Sequence, residues 1–336
     1  MSTFIIAEAG VNHNGSLERA LEMVREAKRF GADTVKFQTF NADDIAVPDA
    51  PKAEYQKASD CMRDQREMLR KLELSEQDHL RLIEECKKEG IEFMSTPFSI
   101  KSARLLESLG MKTWKIPSGE ITNLPLLEYV GRVARTVILS TGMADTAEVR
   151  AALDVLVGAG AEPGRIFLLH CTTAYPTAPA DVNLNAMLTL KEFGTGGVGF
   201  SDHTLSTVIA PAAVAMGACI VEKHFTLDRS LPGPDHAASL TPDEFAQLTA
   251  NIRIVETALG SHRKEAVAAE KGNMAVARKS IVAACPIKAG ETFTEANLTA
   301  KRPGTGISPM LWHSLLGKQA RNDYTTDQQI SNDELK

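Results

Sequence analysis

Two histidines follow neighbouring β-rich segments, at the points where apolar runs give way to polar residues. His203 comes soon after residues 197–200, and His224 comes soon after residues 219–221. Two imidazoles together with a carboxylate oxygen suit a divalent transition metal that keeps open positions for a substrate. Glu222 suits a group that holds water beside such a metal. Hydrogen-bonded histidines at the rim of the fold are the alternative, and the spacing leaves both interpretations open.

Two lysines, Lys36 and Lys115, lie inside otherwise apolar segments. Burying an unpaired lysine is costly, so we expect an anion beside them. Small hydroxyl residues follow neighbouring segments, and these are Thr96, Ser118, Ser140 and Ser201. Each alone is more typical of a turn, but together with the lysines they predict a phosphate cradle.

Carboxylates complete the set of polar residues. Glu8 and Glu120 follow β-rich segments, and either suits a general base or a ligand for a substrate hydroxyl. Asp235 lies in a stiff loop, residues 232–236, where a role in the turn is the alternative. These residues indicate a metal-assisted enzyme acting on a phosphorylated small molecule. Aldol-type carbon–carbon chemistry and phosphate-ester hydrolysis both remain open.

The elements that must position these residues alternate between short β-rich runs and helical patterns. The runs cover residues 4–7, 34–37, 92–95, 113–116, 136–139, 165–169, 197–200 and 219–221. Eight alternating β/α units predict a parallel (β/α)8 TIM barrel, whose active site lies at the C-terminal ends of the strands. A doubly wound open sheet is the alternative, but the sequence has neither GxGxxG nor GxxxxGK[ST].

Helical patterns separate the β-rich runs, and one long excursion interrupts the alternation. Helices are predicted over residues 17–30, 101–109, 124–133, 145–157, 184–193 and 206–216, and from the caps Ser75 and Thr241. The excursion, residues 40–74, carries a helical pattern near 51–72 and predicts a lid or a packing insertion.

The chain divides by its texture into three parts. Residues 1–265 form the predicted barrel, residues 266–279 a charged linker, and residues 280–336 a small β-rich domain. A domain of that size needs support from a partner surface.

Composition excludes several classes of protein. Acidic residues outnumber basic ones by 43 to 37, so no basic field is available for a nucleic acid. The longest nearly apolar run, residues 208–221, is too short for a bilayer, which needs roughly 18 to 20 residues. The N-terminus lacks the pattern of a signal peptide, and the five scattered cysteines do not form CxxC pairs. We therefore expect a cytoplasmic protein with reduced thiols.

Nine short motifs occur along the chain in a fixed order. They are AEAGVNHNGS (7–16), VKFQTF (35–40), STPFS (95–99), KIPSGE (115–120), LSTGM (139–143), FSDHT (200–204), EKHF (222–225), GPDHAAS (233–239) and KRPGTGISP (301–309). In order and spacing these motifs resemble the sialic acid synthase family, and the likeness covers essentially the whole chain. The tail, residues 280–336, is similar to the antifreeze-like (SAF, β-clip) domain of that family.

The resemblance implies an N-acetylneuraminate synthase, which condenses phosphoenolpyruvate with open-chain N-acetylmannosamine and water. C3 of phosphoenolpyruvate attacks the aldehyde, water adds to C2, and phosphate leaves by C–O cleavage. In that family Mn²⁺ or Mg²⁺ polarises the aldehyde. The resemblance makes His203 and His224 the metal ligands, places Glu8 near the reacting carbons and lets Glu222 hold the attacking water.

Substrate-binding roles follow from the same resemblance. The groups implied for phosphoenolpyruvate are Lys36, Thr96, Lys115, Ser118, Ser140 and Ser201. Gln38, Tyr175 and Asp235 correspond to the sugar side, and Glu120 bridges to it. Thr173 stands where some relatives have an asparagine that contacts phosphoenolpyruvate. Arg302 looks like the arginine that the tail of one subunit inserts over its partner's barrel, which implies a domain-swapped homodimer.

Other activities compete with this expectation. N,N'-diacetyllegionaminate synthases share nearly all the motifs, but use 2,4-diacetamido-2,4,6-trideoxymannose, which calls for a more apolar pocket. A pseudaminate synthase is disfavoured by the first motif. A metal-dependent phosphosugar aldolase or a phosphatase would leave the tail unexplained. A ligand-binding tail on a relict barrel conflicts with the intact lysines and histidines.

Overall fold

Two compact units, Met1–Gly260 and Ser261–Lys336, make up the chain in a computed structural model that describes residues 2–52 and 64–336. The first unit contains eight parallel strands, which are β1 (Phe4–Gly10), β2 (Thr34–Thr39), β3 (Glu92–Pro97), β4 (Thr113–Ile116), β5 (Thr136–Ser140), β6 (Ile166–Cys171), β7 (Gly197–Asp202) and β8 (Ile220–His224).

The strand order shows a barrel. Along the sheet the order is β3-β2-β1-β8-β7-β6-β5-β4, so β1 pairs with β2 on one side and with β8 on the other. Within the described residues, β3 and β4 end this order without a ladder between them. The sheet is thus a nearly closed (β/α)8 barrel, and the predicted TIM barrel is confirmed.

Helices follow the strands and cover the outside of the barrel. In the described part of the first unit they are α1 (Leu17–Arg29), α2 (Ala42–Ile45), α3 (Gln65–Arg70), α4 (Glu76–Glu89), α5 (Ile100–Ser108), α6 (Leu124–Val133), α7 (Thr146–Gly158), α8 (Ala186–Lys191), α9 (Ile209–Ala215) and α10 (Pro242–Leu259). Helix α9 begins later than predicted because Thr204 and Ser206 side chains accept the backbone N–H groups of Ser206 and Val208 in turns.

In its described residues, the excursion between β2 and α4 contains two short helices, α2 and α3. The helix predicted near residues 51–72 falls partly on residues 53–63, which lie outside the described residues; α3 accounts for the pattern from Gln65 to Arg70. Phe40 and Leu72, near the two ends of the excursion, belong to one buried cluster with Val11. This packing ties the excursion to the barrel.

An apolar layer lies below the polar residues inside the barrel. Its buried members come from different strands and are Ile6, Met94, Ile138, Leu169 and Ile220. Residues two apart in a strand face the same side. Two positions further along the same strands stand Glu8, Thr96, Ser140, Cys171 and Glu222. The β-strand period therefore aims these five side chains at the mouth of the barrel.

Every barrel strand except β4 extends beyond its predicted C-terminal end. β1 continues to Gly10 and β8 continues to His224, so Glu8 and Glu222 lie within strands and do not follow them. Glu8 is in register with Lys36 on β2 and with His224 on β8. The neighbouring strands satisfy the backbone here whatever the polarity of the side chains, and for that reason the end of an apolar run did not mark the end of a strand.

The second unit has a core of its own. Strands β9 (Ser280–Ala283) and β10 (Leu298–Lys301) pair antiparallel over buried Ile281, Phe293 and Tyr324. Helix α11 (Ala268–Ala277) occupies most of the stretch predicted as a linker, residues 266–279. A short helix, α12 (Trp312–Leu315), also belongs to this unit. The small β-rich tail predicted from the sequence is present.

No helix within residues 2–52 and 64–336 is both long enough and apolar enough to span a bilayer.

Candidate active site

One cavity of about 460 Å³ opens within the first unit. It is lined by fifteen of the sixteen site residues predicted from the sequence: Glu8, Lys36, Gln38, Thr96, Lys115, Ser118, Glu120, Ser140, Thr173, Tyr175, Ser201, His203, Glu222, His224 and Asp235. The sixteenth, Arg302, belongs to the second unit, where its side chain is exposed and its Nε donates to the carbonyl of Ala277 at 3.1 Å.

Four buried charged side chains meet in this cavity. Lys36 Nζ lies 2.7 Å from Glu8 Oε2 and 3.4 Å from Glu222 Oε2. Lys115 Nζ lies 3.4 Å from Glu222 Oε1. Each ammonium group therefore has a carboxylate partner, which offsets much of the cost of burying the charge.

The four groups differ in their affinity for protons. Burial raises the pKa of Glu8 even though Lys36 opposes the shift. For Glu222 the effect of burial is outweighed by Lys115 and Lys36, whose charges lower the pKa of this carboxyl. Burial lowers the pKa of Lys115, whereas the pKa of Lys36 is raised because Glu222 and Glu8 outweigh burial. When Glu8 is protonated, the cluster carries an excess of positive charge, which suits an anion.

Hydroxyl groups surround this charged cluster. Lys36 Nζ donates to Thr96 Oγ1 at 3.0 Å, and Ser201 Oγ donates to Glu222 Oε1 at 2.8 Å. Ser140 Oγ is buried and finds no hydrogen-bond partner among the described residues. A buried hydroxyl without a partner is unusual in a native protein, so Ser140 is available to a ligand.

Gly142 leaves a narrow space beside these hydroxyls. Its backbone N–H donates to Ser118 Oγ at 2.9 Å. A Cβ atom built on Gly142 would meet Thr173 Oγ1 in a clash, and would lie 2.8 Å from both Cys171 Sγ and Ser118 Oγ. The glycine is thus needed for close packing at this point. Burial raises the pKa of the Cys171 thiol, which keeps it protonated and unreactive.

The two histidines lie side by side, with ring centroids 5.5 Å apart. His203 Nδ1 bonds to the carbonyl of Thr172 at 2.7 Å, so Nδ1 carries the proton and Nε2 keeps its lone pair. His224 Nδ1 is buried, without a hydrogen-bond partner in the described residues, and lies 3.8 Å from Asp235 Oδ2. Burial lowers the pKa of both imidazoles, which favours their neutral forms.

Two neutral imidazoles are suitable ligands for a divalent transition metal. The residues that the structure describes contain no group of three or more His, Cys, Asp or Glu side chains arranged to hold a metal ion. The pair His203 and His224 therefore fits a metal whose other ligands come from substrate or water, and does not fit a closed structural site.

Four further polar side chains line the cavity. Gln38 stands on strand β2, and Glu120, Tyr175 and Asp235 stand on connections between strands and helices. Gln38 Nε2 donates to Glu8 Oε1 at 3.2 Å, and the ring of Tyr175 lies over His203 with centroids 4.3 Å apart. Burial raises the pKa of Asp235 to about 7, with Glu8 adding to the shift. Glu120 accepts from Asn123 Nδ2 at 2.5 Å, and burial raises its pKa.

Part of the cavity lining is apolar and was not predicted. We call it the apolar face, and it consists of Val11, Ile45, Met68, Leu69 and Phe98. The charged and hydroxyl-bearing part is called the polar face, and it consists of Lys36, Lys115, Ser118, Ser140, Ser201 and Glu222. The sequence offered only one signal for the apolar face, the length of the excursion that carries most of it.

Comparison with known proteins identifies the family. The model of the NeuB family matches residues 23–264, and that of the SAF domain matches residues 278–336. The chain belongs to the NeuB family. It is an enzyme, a nonulosonic acid synthase, with a C-terminal SAF domain.

Individual relatives cover nearly the whole chain. The N,N'-diacetyllegionaminic acid synthase of Campylobacter jejuni is 49% identical over 98% of this chain and 98% of its own length. That of Legionella pneumophila is 48% identical over 95% of this chain and 90% of its own. The crystal structure of the N-acetylneuraminic acid synthetase of Leptospira borgpetersenii, 34% identical, matches with a TM-score of 0.72 over 82% of this chain and 90% of its own.

Proposed function

We propose that this enzyme is an N,N'-diacetyllegionaminate synthase, which condenses phosphoenolpyruvate, 2,4-diacetamido-2,4,6-trideoxymannose and water to the nine-carbon keto acid and phosphate. The observation that carries the proposal is the high identity, over almost the full chain, to two relatives with this name. It replaces the N-acetylneuraminate synthase expected from the motifs. The motifs report the shared chemistry, whereas the sugar substituents are recognised elsewhere.

Phosphoenolpyruvate binds on the polar face in this proposal. Its phosphate and carboxylate need cationic and hydrogen-bonding partners, and Lys36, Lys115 and the unpartnered hydroxyl of Ser140 offer them. An arriving anion also favours the charged form of Lys115, whose pKa burial lowers in the free enzyme. Ser118 and Ser201 extend the same set of donors.

The bond changes balance with one water molecule. C3 of phosphoenolpyruvate forms the new bond to the aldehyde carbon, and the aldehyde oxygen takes up a proton. The proton that water loses in the later step balances this uptake. Glu8, with its raised pKa, is suited to deliver the proton to the aldehyde oxygen. Water adds to C2 and loses a proton near ionised Glu222, which Ser201 keeps in place. The bond between C2 and the phosphate oxygen then breaks, the proton of the C2 hydroxyl passes to the departing phosphate, and the ketone and inorganic phosphate remain.

His203 and His224 would hold a divalent metal at the aldehyde end of the acceptor. When bound, such a metal withdraws electron density from a carbonyl oxygen and makes its carbon more electrophilic. The carbonyl of Thr172 fixes the ring of His203, and Tyr175 packs over it, so the imidazole is oriented before any ligand arrives. Removal of the metal with EDTA should therefore abolish turnover, and Mn²⁺ or Mg²⁺ should restore it.

We also propose, from the resemblance alone, that the active enzyme is a domain-swapped homodimer. Arg302 of one subunit then reaches the acceptor bound to the barrel of the other. The exposed side chain of Arg302 is compatible with this role.

The test is phosphate release from phosphoenolpyruvate with Mn²⁺ and either of two acceptors. We expect kcat/KM for the 2,4-diacetamido-trideoxy sugar to exceed that for N-acetylmannosamine by at least about tenfold, the scale on which a pocket separates sugars by one or two groups. Faster turnover of N-acetylmannosamine would instead make the enzyme a sialate synthase. Release with neither sugar would overturn both assignments.

A further inference from the structure

The cavity presents two surfaces of opposite character. The polar face holds two buried lysines, and the apolar face is built from α2, α3 and the segments after β1 and β3. Val11, Ile45, Leu69 and Phe98 also take part in a single hydrophobic cluster with buried Phe40 and Leu72. Most of the apolar face is therefore the exposed edge of a packed cluster.

Ion pairs and caps hold this part of the excursion in place. Asp43 of α2 pairs with Arg66 and with Arg70 of α3. The backbone N–H of Ala42 donates to Glu73 Oε1 at 2.7 Å. Because both helices are fastened to each other, Ile45 and Leu69 keep their positions relative to one another.

Phosphoenolpyruvate suits the polar face and does not suit the apolar face. Phosphoenolpyruvate carries a phosphate and a carboxylate, and neither group finds a hydrogen-bond donor on Ile45, Leu69 or Phe98. The acceptor must bring its aldehyde to the reacting carbon near His203 and His224. Its remaining carbons then extend toward the part of the cavity that phosphoenolpyruvate leaves free, which includes the apolar face.

Substituents at C4 and C6 distinguish the two acceptors. N-Acetylmannosamine carries hydroxyl groups at both positions, whereas the diacetamido sugar carries an acetamido group at C4 and a methyl group at C6. Burying a hydroxyl group without a hydrogen-bond partner is unfavourable, whereas burying a methyl group against an apolar surface is favourable. An apolar surface therefore favours the second sugar twice, by excluding hydroxyls and by covering methyl groups.

We infer that the apolar face reads the C4 and C6 substituents of the acceptor, with Leu69 and Ile45 as the specificity-determining residues. This inference rests on the proposed function and adds to it where the selectivity resides. Gln65 lines the same part of the cavity and offers an amide of the kind that pairs with an acetamido group.

The experiment compares Leu69→Gln and Ile45→Thr with the unaltered enzyme. Acceptors are the diacetamido sugar, N-acetylmannosamine and 6-deoxy-N-acetylmannosamine, which isolates the methyl group at C6. We expect each substitution to lower the ratio of kcat/KM for the diacetamido sugar to that for N-acetylmannosamine by about 10-fold or more. The KM for phosphoenolpyruvate should stay within about twofold, since its subsite lies on the polar face.

Two control variants separate selectivity from stability. Leu69→Met keeps the apolar surface and should keep the ratio. Leu80→Gln places the same new side chain on a leucine of α4 that is 45% exposed and does not line the cavity, and should also leave the ratio unchanged. A falling ratio in Leu69→Gln and Ile45→Thr alone supports the inference.

Two other outcomes separate failure of this inference from failure of the proposed function. If the unaltered enzyme prefers the diacetamido sugar and both substitutions leave the ratio unchanged, the inference is overturned while the proposed function stands. If the unaltered enzyme prefers N-acetylmannosamine, the proposed function fails, and the role of the apolar face fails with it. Because Ile45→Thr removes little volume, loss of folding in Leu69→Gln does not prevent the comparison.

Discussion

The polar and apolar faces of the cavity are built from different parts of the fold. The polar face stands mostly on strands, where Lys36, Lys115 and Glu222 are held by the barrel ladder and by one another. The apolar face stands mostly on an excursion outside the sheet. Rigid strands suit a reaction that tolerates little misplacement, whereas an excursion can change its side chains without moving the reacting groups. The contrast separates catalysis from selectivity.

The largest loss of activity should come from changing one of the two histidines, which lie beside the polar face. We expect His224→Ala to abolish metal-dependent phosphate release, by about 1000-fold or more, because one imidazole remains from a set of two. An assay of phosphate release measures the activity, and electron paramagnetic resonance measures the bound Mn²⁺. His262→Ala, at an exposed position, serves as the control. Unchanged turnover with retained metal would remove His224 from the site.

A smaller effect should follow from the charged cluster. Lys115→Met keeps the length of the side chain and removes the ammonium group beside Glu222. We expect kcat/KM for phosphoenolpyruvate to fall by about 10- to 100-fold, because the substitution removes one charge-assisted hydrogen bond. The KM for the acceptor should change little. Lys112→Met, at the exposed position just before the same strand, should have no effect. An equal loss for both substrates would contradict the division between the faces.

The smallest effect concerns the second unit. If Arg302 of one subunit contacts the acceptor in the other, Arg302→Ala should raise the KM for the sugar by about tenfold and that for phosphoenolpyruvate by less than twofold. Arg321→Ala changes another exposed arginine of the same unit and is the matched control. Equal effects of Arg302→Ala on both KM values would exclude the cross-subunit contact.

The sequence predicted the barrel and the polar side of its cavity for a physical reason. Charged residues such as Lys36 and Glu222 are conspicuous inside apolar runs, and the two-residue period of a strand carries them all to the same mouth. The C-terminal ends of most strands, β1 and β8 among them, were missed because neighbouring strands, and not side-chain polarity, decide where a ladder stops.

The apolar face could not be predicted in the same way. Isoleucine and leucine are typical core residues, so Ile45 and Leu69 carry no signal of a binding site in the sequence. Their spacing does not show whether they contact substrate or other parts of the protein. Their role depends on which side of a tertiary cluster they occupy. Ile45 and Leu69 also lie outside the motifs that carry the family resemblance, so those motifs do not distinguish the two sugars if the apolar face reads the acceptor as we infer.

The anchoring of the excursion at Phe40 and Leu72 has a consequence for the divergence of these enzymes. A segment whose ends pack together behaves as a cassette, which recombination can replace as one piece while the strands on both sides keep their alignment. New acceptor sugars can then be acquired without reinventing the carbon–carbon bond-forming step. Laboratory chimaeras that exchange residues 40–74 between relatives would use the same boundary.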